Sequence, residues 1–166
     1  WKLDDLSPLQ QLDESITKKE SHHFDIKPSY RFHNVTSSLQ ILREASTGQD
    51  PPKGASINYW LNEAKDVEII ITNQENETIK TIKEKGNKGV NRLWWDFLTE
   101  ETDGIVFRTK PLYADWFSLD ENKEREDSDL YKFSIMSPPG TYKVTLKTSA
   151  NSITKPLKVI KDPNSE

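Results

Sequence analysis

The residues able to do chemistry are few and scattered. Two pairs of adjacent carboxylates stand out, Asp4-Asp5 and Glu100-Glu101. Glycoside cleavage needs two carboxyls roughly 5–9 Å apart across a sugar bond. Neighbours on an extended chain point to opposite faces, so neither pair is that device alone, and solvated or capping acids are the preferred reading. His22-His23 and His33 could suggest a metal, but no Cys supports them and neighbouring His on an extended strand diverge. Asp120 to Asp129 is dense in acids. It lacks the Asp-x-Asp-x-Asp-Gly order of a calcium loop and holds Lys123 and Arg125, so it reads as a solvated loop. No catalytic residue, metal site or cofactor site is assigned. No phosphate loop, dinucleotide fingerprint or Gly-x-Ser-x-Gly elbow is present.

Aromatics give the sharper candidates. Trp60, Trp94, Tyr113 and Trp116 could stack on the apolar C–H face of a sugar ring. Trp60 and Trp94 each stand opposite the core-facing set of their own strand. The competing reading packs them under the long 98–139 connection or against the N-terminal segment. Asn34-Val-Thr36 and Asn76-Glu-Thr78 match the N-glycosylation acceptor pattern.

The elements that must position these residues are organised around Gly86 to Phe97. Gly86 and Gly89 bracket Asn87-Lys88, a turn composition. Leu93, Trp95 and Phe97 then share one face of an extended chain, and Arg92, Trp94 and Asp96 the other. A face so large and apolar needs a second sheet against it. From Ala55 the alternation is regular: Ile57, Tyr59 and Leu61; Val67, Ile69 and Ile71; Tyr142, Val144 and Leu146; Ile153, Lys155, Leu157 and Val159. Ile79 with Ile82, Ile105 to Thr109, and Tyr131, Phe133 and Ile135 add weaker strands. Asn73 to Asn76 reads as a hairpin turn. Seven or eight short strands with turn signals between them predict an all-β, antiparallel β-sandwich of immunoglobulin-like type over 55–163. Residues 1–54 read as an extended N-terminal arm. It carries one short helix near 8–13, begun by Ser7 as N-cap and Pro8 at the first helical position, and 164–166 are a tail. The arm is too poor in apolar residues to fold alone and should dock through Leu3, Leu6, Phe24, Ile26, Tyr30 and Phe32.

Composition sets the outer bounds. The chain has 166 residues, 33% hydrophobic and 30% charged, enough for one modest core with long solvated loops. Net charge is −4, with no basic stripe interleaved with aromatics, which argues against nucleic acid. No apolar run approaches the ~20 residues of a membrane span. There is no Cys, hence no disulfide framework. The start at Trp1, without an initiator Met, reads as a fragment or a mature product of something longer.

Four stretches in order carry a resemblance: Asp50-Pro-Pro-Lys-Gly-Ala55 leading into Ile57-Asn-Tyr59; Gly89-Val-Asn-Arg-Leu-Trp-Trp-Asp96; Pro139-Gly-Thr-Tyr-Lys-Val-Thr-Leu146; and Pro156 to Pro163. Together with Trp1-Lys-Leu-Asp-Asp-Leu-Ser-Pro-Leu9, the chain resembles the C-terminal domain of bacterial sortilin-like proteins. Those carry β-propellers of neuraminidase-type repeats and are often called glycosyl hydrolases. The domain is also similar to the immunoglobulin-like domain of flagellar hook-capping proteins. The resemblance implies a non-catalytic accessory domain that caps, stiffens or presents a propeller preceding this chain, in a protein that is secreted, periplasmic or on the cell surface. It implies that propeller as the partner, with a glycan or another protein as further partners. Two other readings stay open: a carbohydrate-binding module using the exposed aromatics, and part of a glycoside hydrolase whose site lies in the propeller.

Overall fold

The computed structural model describes residues 5–32, 53–104, 108–109, 112–113, 116, 119 and 132–163. They fall in two units, one within 1–97 and 137–166, the other within 98–136. The first unit is the all-β, two-sheet sandwich that the alternation predicts.

Two short helices open it, α1 (Ser7–Gln11) and α2 (Glu14–Thr17). Among the described residues eight strands follow: β1 (Ser21–His23), β2 (Ser29–Arg31), β3 (Ala55–Leu61), β4 (Lys65–Thr72), β5 (Thr78–Gly86), β6 (Gly89–Trp95), β7 (Gly140–Lys147) and β8 (Ser152–Lys161). One sheet has the order β1-β3-β6 and the other β2-β8-β7-β4-β5. All pairings are antiparallel except β2 with β8, which is parallel.

Inward-facing residues of the two sheets form the core. Ile57, Tyr59 and Leu61 of β3 oppose Ile69 and Ile71 of β4, Val144 and Leu146 of β7, and Leu157 of β8, all fully buried. Burying a Val, Leu or Ile side chain contributes roughly 1.5–3 kcal/mol each. Trp95 closes one end. Its ring lies edge-on to Phe97 and to Tyr142, at 5.3 Å in both cases. Trp95 and Phe97 are buried and Trp94 is exposed, so the faces of β6 are those the sequence predicts. Leu93 is half-buried, and among the described residues β6 ends its sheet.

The Gly86–Gly89 turn carries the chain from β5 in one sheet to β6 in the other. The Asn91 side chain clamps it: Oδ1 accepts from the Asn87 N–H (2.8 Å), and Nδ2 donates to the carbonyls of Asn87 (2.7 Å) and Gly89 (3.0 Å). Gly86 is needed for space, since a Cβ there would stand 2.5 Å from Leu61 Cδ1.

Several local expectations need correction. Among the described residues the N-terminal segment holds two helices where one is expected. The first starts at Ser7 itself, with Leu6 as its cap and no side-chain capping bond. The second exists because Asp13 caps it, accepting from the Ile16 N–H at 2.8 Å. β5 is a nine-residue strand where only a short one is expected. Its cross-strand bonds to β4 hold it despite its poor apolar pattern. In the second unit Phe133 and Ile135 form no regular strand. Their main-chain groups pair with Thr102 and Thr99, partly through threonine hydroxyls, and both side chains are exposed. Of the strand expected at Ile105 to Thr109, residues 105–107 lie outside the described residues and 108–109 are not in a strand; Leu3 and Tyr131 also lie outside them.

Candidate functional site

Among the described residues, the outward face of the β1-β3-β6 sheet brings together Trp60, Trp94, Arg92 and His22. Alternation along β3 sends Ser56, Asn58 and Trp60 outward, and register pairs them with Trp94, Arg92 and Val90 of β6. His22 of β1 extends the Trp60–Val90 row.

Asp5 reaches the middle row. Arg92 Nε donates to Asn58 Oδ1 (2.8 Å), and Nη2 donates to the Asp5 carbonyl (2.9 Å). Asn58 Nδ2 donates in turn to Ser56 Oγ (3.0 Å). The Asp5 carboxylate accepts from Lys27 Nζ (2.7 Å) and from the Ser7 N–H (3.0 Å). Partial burial pushes that carboxyl up, but these hydrogen bonds outweigh it and hold it down at about 2. Pro8, Ile16 and Phe24 are buried. Phe24 also meets His22 edge-on at 5.1 Å. Desolvation, then the charges of Lys19 and Lys155, push the His22 pKa down.

The adjacent histidines diverge. His22 looks outward and His23 inward, where it is fully buried. His23 Nδ1 lies 3.3 Å from the Ile153 carbonyl and must carry the proton to donate there. Its Nε2 is buried with no partner. Desolvation pulls the His23 pKa to about 4, so the ring is neutral at physiological pH. Ser21 Oγ, on the same inward face, donates to Asn151 Oδ1 at 2.7 Å.

Of the four candidate aromatics, two lie in each unit. Trp60 is half-buried, with its indole N–H buried and unpartnered. Trp94 is 39% exposed. Both sit on the outward face of one sheet, but the Asn58–Arg92 row stands between them. Strand geometry puts their Cα atoms about 14 Å apart. Tyr113 and Trp116 belong to the second unit and are 94% and 78% exposed. Asp4 and His33 lie outside the described residues. Among the described residues, no group of three or more His, Cys, Asp or Glu could hold a metal ion, and no helix is long and apolar enough to cross a membrane.

Sequence reasoning missed the Arg92–Asp5 link, which joins residues far apart in the chain and leaves no local pattern. It placed Tyr142 on a core-facing strand but missed the bond that its hydroxyl donates to the Pro138 carbonyl at 2.6 Å. A tyrosine shortly after a proline turn, as in the Pro-Pro-Gly-x-Tyr run, is the signal that could have found it.

What this face does chemically is hold. Ser56, Asn58 and Arg92 hydrogen-bond to one another and to the N-terminal segment. Comparison of the chain with family models, curated proteins and solved structures found no match.

Proposed function

We propose that this chain is a non-catalytic, immunoglobulin-like accessory domain that caps, stiffens or presents a β-propeller preceding it in a larger secreted protein. The observation that carries this reading is the way residues 5–31 are stitched to both sheets. β1 adds to one sheet and β2 to the other. Salt bridges reinforce the attachment, Lys65 to Glu20 at 2.6 Å and Lys155 to Asp25 at 2.7 Å. A load arriving through this segment is therefore shared by both sheets, which suits a mount for whatever precedes it.

Two features support the immunoglobulin-like assignment. The strand order divides the first two strands between the sheets and sets β7 between β4 and β8, as strand F lies between C and G in that fold. The Tyr142–Pro138 bond reproduces a tyrosine corner at the start of the penultimate strand.

Trp94, exposed on its strand, favours the carbohydrate-binding module as the second reading. A glycan array probed with the purified chain separates the two. The accessory reading expects no saturable glycan binding, and binding that Trp94→Ala abolishes would replace it with the module. Deleting the domain from the parent protein should lower the parent's thermal midpoint while leaving the chemistry of any parent activity unchanged. An unchanged midpoint would remove the stiffening role.

A further inference from the structure

We propose that the outward face of the β2-β8-β7-β4-β5 sheet docks on the surface of an anionic lipid bilayer, with Tyr30 and Phe32 entering the headgroup layer and lysines of β5, β7 and β8 meeting the lipid charge. Alternation decides which residues share this face. Val67, Val144 and Leu157 are buried in the core, so the residues on either side of each look outward: Asp66 and Glu68, Lys143 and Thr145, Pro156 and Lys158. Register then sets Lys85 opposite Asp66, and Lys83 and Lys147 on the two sides of Glu68. Tyr30 stands beside Ile160, which shares its side of β8 with Lys158. Phe32 stacks on Tyr30, with 5.9 Å between ring centres.

The charge of this face opposes that of the whole chain. Among the described residues it carries the five lysines Lys83, Lys85, Lys143, Lys147 and Lys158, all exposed, and the two acids Asp66 and Glu68. The chain as a whole has a net charge of −4. Glu68 is shared by Lys147 at 2.9 Å and Lys83 at 3.5 Å, so one carboxylate answers two ammonium groups. Lys143 Nζ donates to Asn76 Oδ1 at 2.7 Å, a neutral partner that leaves its charge in place. Glu75 and Glu77 lie past the end of β4, in the turn to β5.

Two properties select a bilayer as the occupant. The positive charge is spread over three strands of one sheet instead of gathered round one point. That suits a plane of anionic headgroups better than a single phosphate or carboxylate, since each lysine held near an anionic leaflet adds its own attraction. At one corner the lysines give way to two large rings, Tyr30 and Phe32, which are 46% and 58% exposed. Such rings settle favourably at the boundary between headgroups and acyl chains. An acidic protein or a soluble polyanion would gain little from them.

The test uses the full chain with vesicles of phosphatidylcholine alone, or with roughly a third phosphatidylglycerol. Co-sedimentation should show saturable binding to the mixed vesicles and none to the neutral ones, lost as salt rises to about 0.5 M. Lys143→Glu with Lys158→Glu should lower binding at least about tenfold. Tyr30→Ala with Phe32→Ala should lower it by about the same factor, and both variants should keep the parent's thermal midpoint. The chain has no Cys, so a polarity-sensitive dye on Thr141→Cys reports this face and one on Val90→Cys reports the other sheet. Blue-shifted emission on vesicle binding is expected from the Thr141 position alone. Absence of binding to the mixed vesicles, equal binding to the neutral ones, or a shift from the Val90 position alone would overturn the proposal. So would polyglutamate bound as tightly as the mixed vesicles and equally well without the Tyr30 and Phe32 rings, because the occupant would then be an acidic polymer.

Discussion

A Cβ added to Gly54 would stand 2.0 Å from the carbonyl oxygen of Trp95. Gly54 also has φ +111°, in the region that side chains rarely adopt. Steric conflict and backbone strain thus fall on one residue at the entry to β3, beside the largest buried side chain of the core. Gly54→Ala should cost at least about 2–4 kcal/mol, since strained backbone alone costs about 1–3 kcal/mol. Gly89 is the control. It has φ +105° but nothing within 4 Å of the added carbon, so Gly89→Ala should cost only about 1 kcal/mol. Urea denaturation of both variants checks the contrast, and equal losses would mean that the close approach to Trp95 is unimportant.

The aromatic cluster at the same end gives a graded series. Tyr142→Phe keeps the ring against Trp95 and removes only the hydroxyl bond to Pro138, so it should cost about 1–2 kcal/mol. Trp95→Ala empties the centre of the cluster and should cost about 3–5 kcal/mol. Thermal midpoints should follow that order, with Tyr142→Phe the milder.

His23 makes stability depend on acidity. Its pKa is about 4 in the folded chain against an ordinary value of 6.5 for an exposed histidine, so the unfolded chain binds more protons between those values. Stability from this residue is complete above pH 6.5 and falls as pH drops through the window, then levels off below about 4. A full shift of this size corresponds to about 3 kcal/mol at about 1.36 kcal/mol per pH unit. Urea midpoints at about pH 7.5, 5.5 and 4 should fall for the parent chain. The fall should be much shallower for His23→Gln, and parallel slopes would exclude His23 as the cause.

The fold is legible wherever period-two alternation is strong, as in Ile57-Tyr59-Leu61 or Tyr142-Val144-Leu146, because a half-buried strand has no other way to satisfy both faces. The full length of β5 is not, because Thr78–Gly86 holds mostly Lys, Thr and Glu, and pairing with β4 decides its conformation. Phe133 and Ile135 mislead for the opposite reason. Their alternation is real, but they lie in the second unit with both side chains exposed. For the aromatics, local pattern correctly puts Trp60 and Trp94 on an outward face. It cannot tell that Asn58 and Arg92 stand between them, because that depends on the β3–β6 register.

Arg92 offers the most direct probe of how the N-terminal segment is held. Its guanidinium reaches Asn58 Oδ1 and the Asp5 carbonyl at once, and a lysine ammonium is a single point that cannot copy that fork. Arg92→Lys should therefore cost about 1–2 kcal/mol, in the range for losing a hydrogen bond from a charged donor. The loss should be local before it is global. Amide exchange in residues 5–17 should quicken and proteolysis there should rise, while amides of β4, β7 and β8 keep their protection. Asp5→Asn gives the complementary result. It removes the charge that Lys27 meets but keeps the Asp5 carbonyl, so the Arg92 contact survives and the segment should loosen less. If Arg92→Lys instead accelerates exchange evenly across both sheets, Arg92 serves the sandwich as a whole and the N-terminal segment is held by its strands alone.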